Sequence, residues 1–482
     1  MLPALDCLPR AFRLQWPYMA RIVLISPPSP ERLGGPLVGL QYVAAALLAH
    51  GCEVRVIDAA ASSFAAGSDR IVEEVEGFAA EMVGLCLYTR WVRHAYELAE
   101  RLRGRFPLLV AGGPHATACP DEVLSRGFDV AVLGEAEQAV TALAKCLDGT
   151  LRMEAVSGIR YRGASGGVFG DTPAHHETEL DSLACPHSAL PLFDSRWYGH
   201  SAWPPASHGI VSSRGCSARC TFCANYATGK HYRFRSAKNV VAEIRESWSL
   251  YGTAFFPFWD DALTANPGRL IDLCHAMQRD LPFAPQWSGT TRANMVEPEL
   301  LSAMKRAGLC HLNFGVESGD DETLHSIRKG IRTDQVVKAL ESAREAGIRT
   351  SCNFMFGFPE ETAAALERTL RFMERIAPLV DFFSPAGVLI PMPATLVYER
   401  NHKRYGFTEW WLKEEYGRPV ERAKPASMEE ACLSAANDPA LDLDFFRYTE
   451  ETRSLIRACL AFKADHNLRR MKEPDFPAGA RP

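Results

Sequence analysis

Three cysteines within eight residues, Cys216, Cys220 and Cys223, constrain this chain more than any other feature. They form a CxxxCxxC pattern after a strand-like run that ends in a Gly-tipped loop, Ile210 to Gly215. Three thiolates this close can share one metal centre, whereas an isolated iron–sulfur cube normally takes four Cys ligands. The trio therefore predicts a [4Fe–4S] cluster with one iron left open to a substrate or cofactor.

Two other interpretations of the trio are weaker. Free Cys is among the most buried residue types, so a chance group of buried thiols is the plainest alternative. The tight spacing and the aromatic Phe222 before the third Cys argue against it. Zinc is the second alternative, but structural zinc sites take four nitrogen or sulfur ligands. No second Cys pair with zinc-finger spacing lies nearby.

With Phe222 before the third Cys, the pattern has the form CxxxCx(aromatic)C and resembles the radical S-adenosylmethionine (SAM) family. The resemblance implies that the open iron chelates the amino and carboxylate groups of SAM. It further implies that reduction of the cluster cleaves SAM to a 5′-deoxyadenosyl radical. An electron donor such as flavodoxin or ferredoxin is then expected as a partner.

Size and composition bound the remaining possibilities. A chain of 482 residues predicts two or three domains. The net charge of −5 gives no reason to expect nucleic acid as a partner. The sequence has no run of 18 or more apolar residues, so we expect no membrane insertion. Fourteen scattered Cys favour a reducing cytoplasm over a disulfide framework.

Residues 1–18 lack the compact basic and apolar order of a signal peptide. A clean strand begins just after Met19. We therefore expect residues 1–18 to be a non-native or disordered extension, with ordered structure starting at Met19.

Residues 19–150 alternate short runs rich in Val, Ile and Leu with helix-length segments, which predicts a doubly wound parallel sheet. The predicted strands are Ile22–Ile25, Val54–Ile57, Val83–Tyr88, Leu108–Ala111 and Val130–Leu133, with helices over Gly39–His50 and Val92–Arg105. Each strand ends in a loop rich in Gly, Pro or polar residues, and ligands of open α/β sheets bind at that edge. Tight turns that need Gly for a positive φ are the alternative explanation of any single loop.

These loops resemble the cobalamin-binding domain found ahead of many radical SAM domains, over about residues 20–150. The residues that the resemblance assigns to cobalamin are Gly39, Tyr88, Thr89, Gly112, Gly113, Pro114, His115, Gly134, Glu135 and Glu137. The chain has no Asp-x-His-x-x-Gly, the motif that supplies the His ligand of cobalt in mutases and methionine synthase. Base-off cobalamin without a protein His ligand is therefore implied. For His115, a hydrogen bond to the corrin or a role in the turn is favoured over ligation of cobalt.

Radical SAM methylthiotransferases are a rival family, because their doubly wound amino-terminal domain carries three Cys for a second cluster. Cys52, Cys86 and Cys119 are similarly spread along this chain. Cys86 falls within a predicted strand, however, and the Gly-Gly-Pro-His sequence that ends at His115 fits cobalamin better. The cobalamin interpretation is therefore preferred.

Residues 205–400 repeat βα units, which predicts a partial (β/α)6 barrel with sites at the carboxyl ends of its strands. A linker over 151–204, with a small β-hairpin around Gly158 to Val168, precedes this barrel. A mainly helical extension over 401–482 follows it, with a helix from about Phe445 to Asn467. The predicted barrel strands are Ala254–Trp259, Gln286–Thr290, Leu312–Val316, Thr350–Phe356, Leu379–Phe383 and Val388–Ile390.

Residues of the Cys loop and of the later strand ends resemble the family's motifs for SAM. The residues so assigned are Phe222, Asp260, Asp261, Arg292, Glu317, Ser318 and Gly357. Carboxylates suit an ammonium group, and a guanidinium suits a carboxylate. A helix N-cap for the aspartates, an ordinary ion pair for Arg292 and a strand–helix turn for Gly357 are the alternatives. The chain departs from the family patterns at Glu360 and Ala394, where Gly is usual.

The resemblances together imply a cobalamin-dependent radical SAM enzyme, most simply a methyltransferase acting on an unactivated carbon of a small molecule or natural product. In this hypothesis one SAM methylates cob(I)alamin, and a second SAM at the cluster gives the radical that abstracts a substrate hydrogen. The substrate radical then takes the methyl group from methylcobalamin. An oxidative cyclase or ring-rearranging enzyme without methyl transfer is the runner-up. A methylthiotransferase or a non-catalytic cobalamin-binding sensor is less favoured, and no catalytic residue is identified.

Overall fold

The computed structural model describes residues 19–29, 35–60, 68–163, 166–170, 174–194, 209–384, 387–416 and 428–473. The predicted extension over 1–18 lies outside these residues, and so does the end of the predicted linker from residue 195 onward. Within the described ranges, no helix is both long enough and apolar enough to cross a membrane.

A seven-stranded sheet organises the amino-terminal half, in the order β2-β1-β3-β4-β5-β6-β7. The first five strands are parallel, and the hairpin β6–β7 adds two antiparallel strands at one edge. This hairpin was predicted near Gly158, and it carries the sheet on to Phe169. The strands are β1 (Arg21–Ser26), β2 (Glu53–Asp58), β3 (Met82–Cys86), β4 (Leu108–Gly112), β5 (Val130–Val132), β6 (Ile159–Arg162) and β7 (Val168–Phe169).

Helices cover both faces of this sheet, so the predicted doubly wound fold is confirmed. In β1, Ile22 and Leu24 pack in one core and Val23 and Ile25 in the other, as in parallel sheets buried on both sides. The first core includes side chains of α1 and α6, and the second includes side chains of α2, α3 and α5. The helices are α1 (Val38–Ala49), α2 (Ser68–Gly77), α3 (Val92–Leu102), α4 (Pro114–Ala118), α5 (Pro120–Ser125) and α6 (Glu137–Leu147).

A second sheet of five parallel strands, β10 to β14 in sequence order, forms the open barrel of the second half. Single bridges from Ile210 to Phe258 and from Phe356 to Val388 extend it. A short antiparallel pair, β8–β9, encloses the Cys loop. The strands are β8 (Ser213–Arg214), β9 (Arg233–Phe234), β10 (Phe255–Pro257), β11 (Gln286–Thr291), β12 (Leu309–Glu317), β13 (Arg349–Phe354) and β14 (Phe382–Phe383).

The helices of the second half begin where side chains can cap them. Ser236, Asn266 and Thr362 each accept a hydrogen bond from the backbone N–H three residues later, which satisfies an otherwise unpaired donor. The helices are α7 (Ala237–Tyr251), α8 (Pro267–Asp280), α9 (Pro298–Arg306), α10 (Asp321–Ser326), α11 (Thr333–Glu345), α12 (Ala363–Ile376), α13 (Leu396–Tyr405), α14 (Met428–Ala436) and α15 (Glu450–Arg470).

Three predicted boundaries of this half are wrong. The strand expected over Leu379–Phe383 is shortened to Phe382–Phe383, because Ala377–Leu379 form a 3-10 turn. The strand expected over Val388–Ile390 is reduced to a single bridge at Val388. The last helix starts at Glu450 and not near Phe445, because Thr449 caps it and Phe445 belongs to the core that precedes it. The apolar run before the cap therefore packs as a loop and does not continue the helix.

The carboxy-terminal extension closes the open barrel at two points. Asn467 on α15 donates to the backbone carbonyl of Phe383 and accepts from its N–H, both at 2.8 Å, and so pairs the last strand as a neighbouring strand would. The Tyr448 hydroxyl donates to the Gly357 carbonyl at 2.7 Å. The strand-end turn at Gly357 is thus covered by the extension.

The same turn at Gly357 contains a buried acid. Glu361 accepts hydrogen bonds from the backbone N–H groups of Gly357 at 2.7 Å and Phe358 at 3.3 Å. Burial raises the pKa of Glu361 from 4.5 to about 8 in spite of these two hydrogen bonds. Between these values the folded protein keeps a proton that the unfolded chain releases, so the contribution of Glu361 to stability is fully present below about pH 4.5 and is lost as pH rises toward 8.

We therefore expect Glu361→Gln to reduce this pH dependence. The wild-type melting temperature should fall by several degrees relative to Glu361→Gln between pH 5 and 8.5, measured by calorimetry. Glu360→Gln is the matched control, since Glu360 is the exposed neighbour and its variant should follow the wild type at every pH. Parallel curves for wild type and Glu361→Gln would contradict the assignment of a buried neutral acid.

Candidate active site

The three cysteines lie in the loop that joins β8 and β9. Gly215 opens this loop with φ of +83°, and a Cβ atom there would collide with the carbonyl oxygen of His231, so the position requires glycine. The backbone N–H of Cys216 donates to the carbonyl of Gly229 at 3.2 Å across the loop. Thr221 is held from the barrel side, because its N–H donates to the Ile327 carbonyl at 2.9 Å. The loop is therefore shaped by the protein backbone itself.

The chemistry of this loop fits an iron–sulfur cluster held by the three thiols. All three Cys side chains are partly buried. Burial raises the pKa of the Cys223 thiol, and the nearby Cys220 and Cys216 raise it further, as expected for thiols gathered at one place. Arg292 donates from Nη1 to Sγ of Cys220 at 3.4 Å, and its buried Nε has no hydrogen-bond partner among the described residues. A guanidinium at this point suits a negatively charged cluster and its ligand.

Asp260 and Asp261, predicted to contact SAM, hold the Cys loop in place. Asp260 is buried and accepts from the N–H groups of Ser212 at 2.6 Å and Ser213 at 3.1 Å. Asp261 accepts from the Gly215 N–H at 2.9 Å and from the Thr228 hydroxyl at 2.6 Å. Neither aspartate caps a helix, because the helix that follows them, α8, is capped by Asn266. Asp260 holds the strand that leads into the loop, and Asp261 holds both ends of the loop; their contact with SAM stays a prediction.

Three further residues assigned to SAM lie at the strand ends around the loop. Glu317 is buried, has φ of +76° and pairs with Lys329 at 2.7 Å. The ammonium of Lys329 lies 6.0 Å from the Phe222 ring, so this ion pair borders the Cys loop. Ser318 instead faces Thr369 on α12, with 3.1 Å between the hydroxyl oxygens. Gly357 has φ of +82° beneath the Tyr448 hydroxyl, which supports the strand–helix turn proposed as its alternative role.

The amino-terminal sheet offers a cleft at the point where its strand order reverses. Strand β1 is flanked by β2 and β3, and ligands of doubly wound folds bind outside the carboxyl ends at such a point. Tyr88 and Trp91 line the cleft there. The buried indole N–H of Trp91 has no hydrogen-bond partner among the described residues. Gly39 and Gly112 have open space beside their Cα atoms. The cleft holds about 10 Å³, room for a single water, so this edge offers a cofactor an indole donor and open glycine backbone but no preformed cavity.

His115, the one histidine in the predicted cobalamin loops, is fully buried below this edge. Its Nδ1 lies 3.0 Å from the Thr89 hydroxyl, and its Nε2 lies 3.1 Å from the Tyr96 hydroxyl and 3.2 Å from Glu122. Both ring nitrogens are thus engaged within the protein, which favours a structural role over ligation of cobalt. Gly113 and Pro114 precede it, with Gly113 at φ of +90° against the backbone of Leu87 and Pro114 at the first position of α4.

The loop after β5, also assigned to cobalamin, pairs with residues on both sides of the Cys loop. Glu135 lies 3.2 Å from Arg214 and 2.8 Å from Arg233, and Glu137 lies 2.6 Å from Arg214. These four side chains are almost completely buried. Burial lowers the pKa of Arg214, but Glu137 and Glu135 outweigh burial and raise it. Gly134 begins the loop with no room for a Cβ atom beside His175.

Tyr226, three residues after the last Cys, lies between the two halves. Burial raises the pKa of its hydroxyl, Cys119 and Cys223 raise it further, and the Thr89 hydroxyl lowers it. The phenol is therefore close both to the Cys loop and to the loop after β3. Because Thr89 also contacts His115, Tyr226 connects the Cys loop to the predicted cobalamin edge.

Sequence reasoning missed several of these residues. Arg214 and Arg233 flank the Cys loop, but nothing local reveals that Glu135 and Glu137 are their partners. Trp411 is buried, and its indole N–H donates to Glu122 at 3.0 Å, a contact that nothing near either residue in the sequence indicates. The basic residues Arg214 and Arg233 on either side of the Cys trio are the one local signal that could have indicated acidic partners, without saying which.

Comparison with known proteins identifies two domains that correspond to the two halves of the structure. A family model described as the B12 binding domain matches residues 34–144, and a model of the radical SAM superfamily matches residues 210–373. An uncharacterized methyltransferase of Pyrococcus horikoshii is 27% identical over 392 residues, covering 79% of this chain and 82% of that protein. The anaerobic magnesium-protoporphyrin IX monomethyl ester cyclase of Rubrivivax gelatinosus is 27% identical over 350 residues, covering 70% of this chain and 61% of that protein.

A solved structure shows the same architecture. The cobalamin-dependent S-adenosylmethionine radical enzyme OxsB, with aqua-cobalamin and S-adenosylmethionine bound, superimposes with a TM-score of 0.69 at 16% identity. The match covers 94% of this chain and 72% of that one. A radical SAM domain implies a [4Fe–4S] cluster and SAM, and a B12 binding domain implies cobalamin. This chain therefore consists of a B12 binding domain followed by a radical SAM domain, and it is an enzyme of the radical SAM class.

Proposed function

We propose that this enzyme is a cobalamin-dependent methyltransferase that adds a methyl group to an unactivated carbon of a small-molecule substrate. The observation that carries the proposal is the buried contact between the two domains, in which Arg214 and Arg233 pair with Glu135 and Glu137. This contact joins the Cys loop to the carboxyl edge of the B12 binding domain. A substrate between these two edges would reach both cofactors without moving between sites.

The residues of this chain bind and orient, and the cofactors supply the reactive groups. When bound, the cluster with SAM supplies a 5′-deoxyadenosyl radical and cobalamin supplies a methyl group. Cys216, Cys220 and Cys223 would hold the cluster, with Arg292 beside Cys220 as the best-placed group for the SAM carboxylate. Aromatic packing of Phe222 on Phe358, with ring centroids 5.7 Å apart, excludes water beside the loop.

A ring-forming reaction without methyl transfer is the second candidate. The observation that favours it is the relative in Rubrivivax gelatinosus, which is named as a cyclase and matches this chain as closely in identity as the uncharacterized methyltransferase does. The same two domains could serve either reaction. The two candidates differ in the fate of the methyl group of SAM.

Reaction products formed from SAM separate these two candidates without a known substrate. The protein is reconstituted without oxygen with iron, sulfide and cobalamin, then incubated with SAM and a strong reductant. A methyltransferase forms S-adenosylhomocysteine, the product left when SAM gives up its methyl group, only when cobalamin is present. Chromatography with mass detection should therefore find both S-adenosylhomocysteine and 5′-deoxyadenosine.

Deoxyadenosine without S-adenosylhomocysteine would overturn methyl transfer and favour the cyclase. Neither product would revive a non-catalytic cobalamin-binding protein. Once an acceptor is found, SAM with a CD₃ group gives the final check, because a methyltransferase must pass that label to its product.

Binding of the cluster is expected to require all three thiols of the loop. Cys220→Ala removes one of three ligands and the sulfur that Arg292 contacts, so bound iron should fall from about four per chain to near zero. Deoxyadenosine formation should be lost with it, while cobalamin binding stays within two-fold of the wild type. Iron analysis and electron paramagnetic resonance measure the cluster. Cys310→Ala, a partly buried Cys on β12 outside the loop, should behave as wild type. A full cluster in Cys220→Ala would refute the assignment.

The hydroxyl of Tyr226 is expected to support the binding of cobalamin through Thr89. Tyr226→Phe removes the hydroxyl beside Thr89 and keeps the ring, so the predicted cobalamin edge loses one polar contact. The contact lies within the protein, so its loss acts on cobalamin only by releasing Thr89; about 1 kcal/mol is the upper bound of that effect and corresponds to a roughly five-fold weaker affinity at most. Titration of the cluster-loaded protein with cobalamin measures it. Tyr161→Phe, at the far edge of the same sheet, should leave the affinity unchanged. Equal affinities for wild type and Tyr226→Phe would rule out this role.

A further inference from the structure

Trp259 is the most exposed large hydrophobic side chain in the described part of the chain, with 62% of its surface open to solvent. It lies two residues after β10, at the carboxyl edge of the barrel sheet, and directly precedes Asp260. Single exposed apolar side chains are common on protein surfaces, so exposure alone assigns no role to this indole. The residues that surround it are more informative.

The indole of Trp259 lies against the first domain. A Cβ atom built on Gly209 would lie 1.8 Å from Cδ1 of Trp259 and 3.1 Å from Cγ2 of Val38. The indole and Val38 therefore meet at Gly209, where only a residue without a side chain leaves room for both. Val38 is the first residue of α1 in the B12 binding domain. Trp259 thus belongs by sequence to the radical SAM domain but borders the other domain.

The backbone fixes the indole in this place. The N–H of Trp259 donates to the carbonyl of Ile210 at 2.8 Å. Asp260, the next residue, is buried and accepts a hydrogen bond from the Ser212 N–H at 2.6 Å. Asp260 therefore turns toward the strand that leads into the Cys loop, whereas Trp259 turns toward Gly209 and the first domain. Because the indole is already held in place, a ligand that covers it loses little affinity to ordering the protein.

The part of the first domain that Trp259 borders is the edge assigned to cobalamin. Leu37, which precedes Val38, lines the same cleft as Trp91. Gly39, which follows Val38, has open space beside its Cα atom. The cleft is far too small for a corrin ring, so cobalamin would lie over its mouth. That mouth is where the start of α1 meets the exposed indole.

We propose that Trp259 completes the cobalamin site from the radical SAM domain, with its indole packed on the corrin ring that the B12 binding domain holds. A corrin ring is broad and largely apolar, and an aromatic side chain buries a large area against such a surface. Covering the indole removes this apolar area from water, which favours binding. The cofactor is then held by both domains, beside the aspartates that hold the Cys loop. This role is the same for either candidate reaction.

Hydroxyl-radical footprinting with mass spectrometry tests the proposal in the wild-type protein. The cluster-loaded chain receives a radical pulse with or without bound hydroxocobalamin, and oxidation of each Trp is measured in its peptide. We expect oxidation of Trp259 to fall several-fold when hydroxocobalamin is bound. Trp248 on α7 is the internal control, because it is 36% exposed and stacks on Phe283, and its oxidation should not change. Equal oxidation of Trp259 in both samples would overturn the proposal.

Variants measure how much the indole contributes to binding. Trp259→Ala should weaken the affinity for hydroxocobalamin about ten-fold, while Trp259→Phe, which keeps an aromatic ring, should lose less. Gly209→Ala keeps the indole but displaces it, so it should also weaken binding. Trp248→Ala is the matched control, and the iron content of every variant shows whether the fold and the cluster are retained. Wild-type affinity in Trp259→Ala would contradict the proposal. Should this variant fail to fold, footprinting of the wild type decides.

Discussion

The arrangement of this enzyme depends on one buried group of charges, in which Arg214 and Arg233 meet Glu135 and Glu137. Two positive and two negative charges balance, so the group can be buried between domains without a residual charge. Removing one partner of such a pair costs about 3–5 kcal/mol, because the remaining charge stays buried without compensation. Apolar surfaces can slide past each other, but this group is satisfied in one relative placement only. It therefore fixes the Cys loop against the B12 binding domain.

The same need to compensate buried charge explains why the strand-end aspartates accept hydrogen bonds from the Cys loop. Asp260 and Asp261 accept five hydrogen bonds between them from backbone and hydroxyl groups at both ends of the Cys loop. Burial raises the pKa of Asp260, and these hydrogen bonds oppose that shift by favouring its charged form. Acids at the mouth of the barrel thus hold the loop in shape before any cofactor arrives. Residues whose chemistry suits SAM can therefore already take part in hydrogen bonds that stabilise the fold.

Local patterns predicted the fold well and the contacts across it poorly. The strand β1 was recognised because Val and Ile at successive positions fill both cores, a property that four residues carry by themselves. The Cys trio was recognised for the same reason, since its ligands are neighbours in sequence. Arg214 and Glu137 are 77 residues apart, and Trp411 and Glu122 are 289 apart. Such pairs depend on how domains pack, which no short stretch of sequence encodes.

The carboxy-terminal extension shows where packing adds a role that composition could not. An open partial barrel leaves the edge strand β14 with unpaired backbone groups, and Asn467 satisfies both groups of Phe383. Burial on the same helix lowers the pKa of Lys463 to about 7. Its ammonium lies 5.5 Å from the ring of Phe356, next to the Gly357 turn that Tyr448 covers. The extension therefore covers the carboxyl edge of the barrel beside Gly357 and excludes water from it. Such cover suits a radical enzyme, because excluding water suppresses side reactions of reactive intermediates.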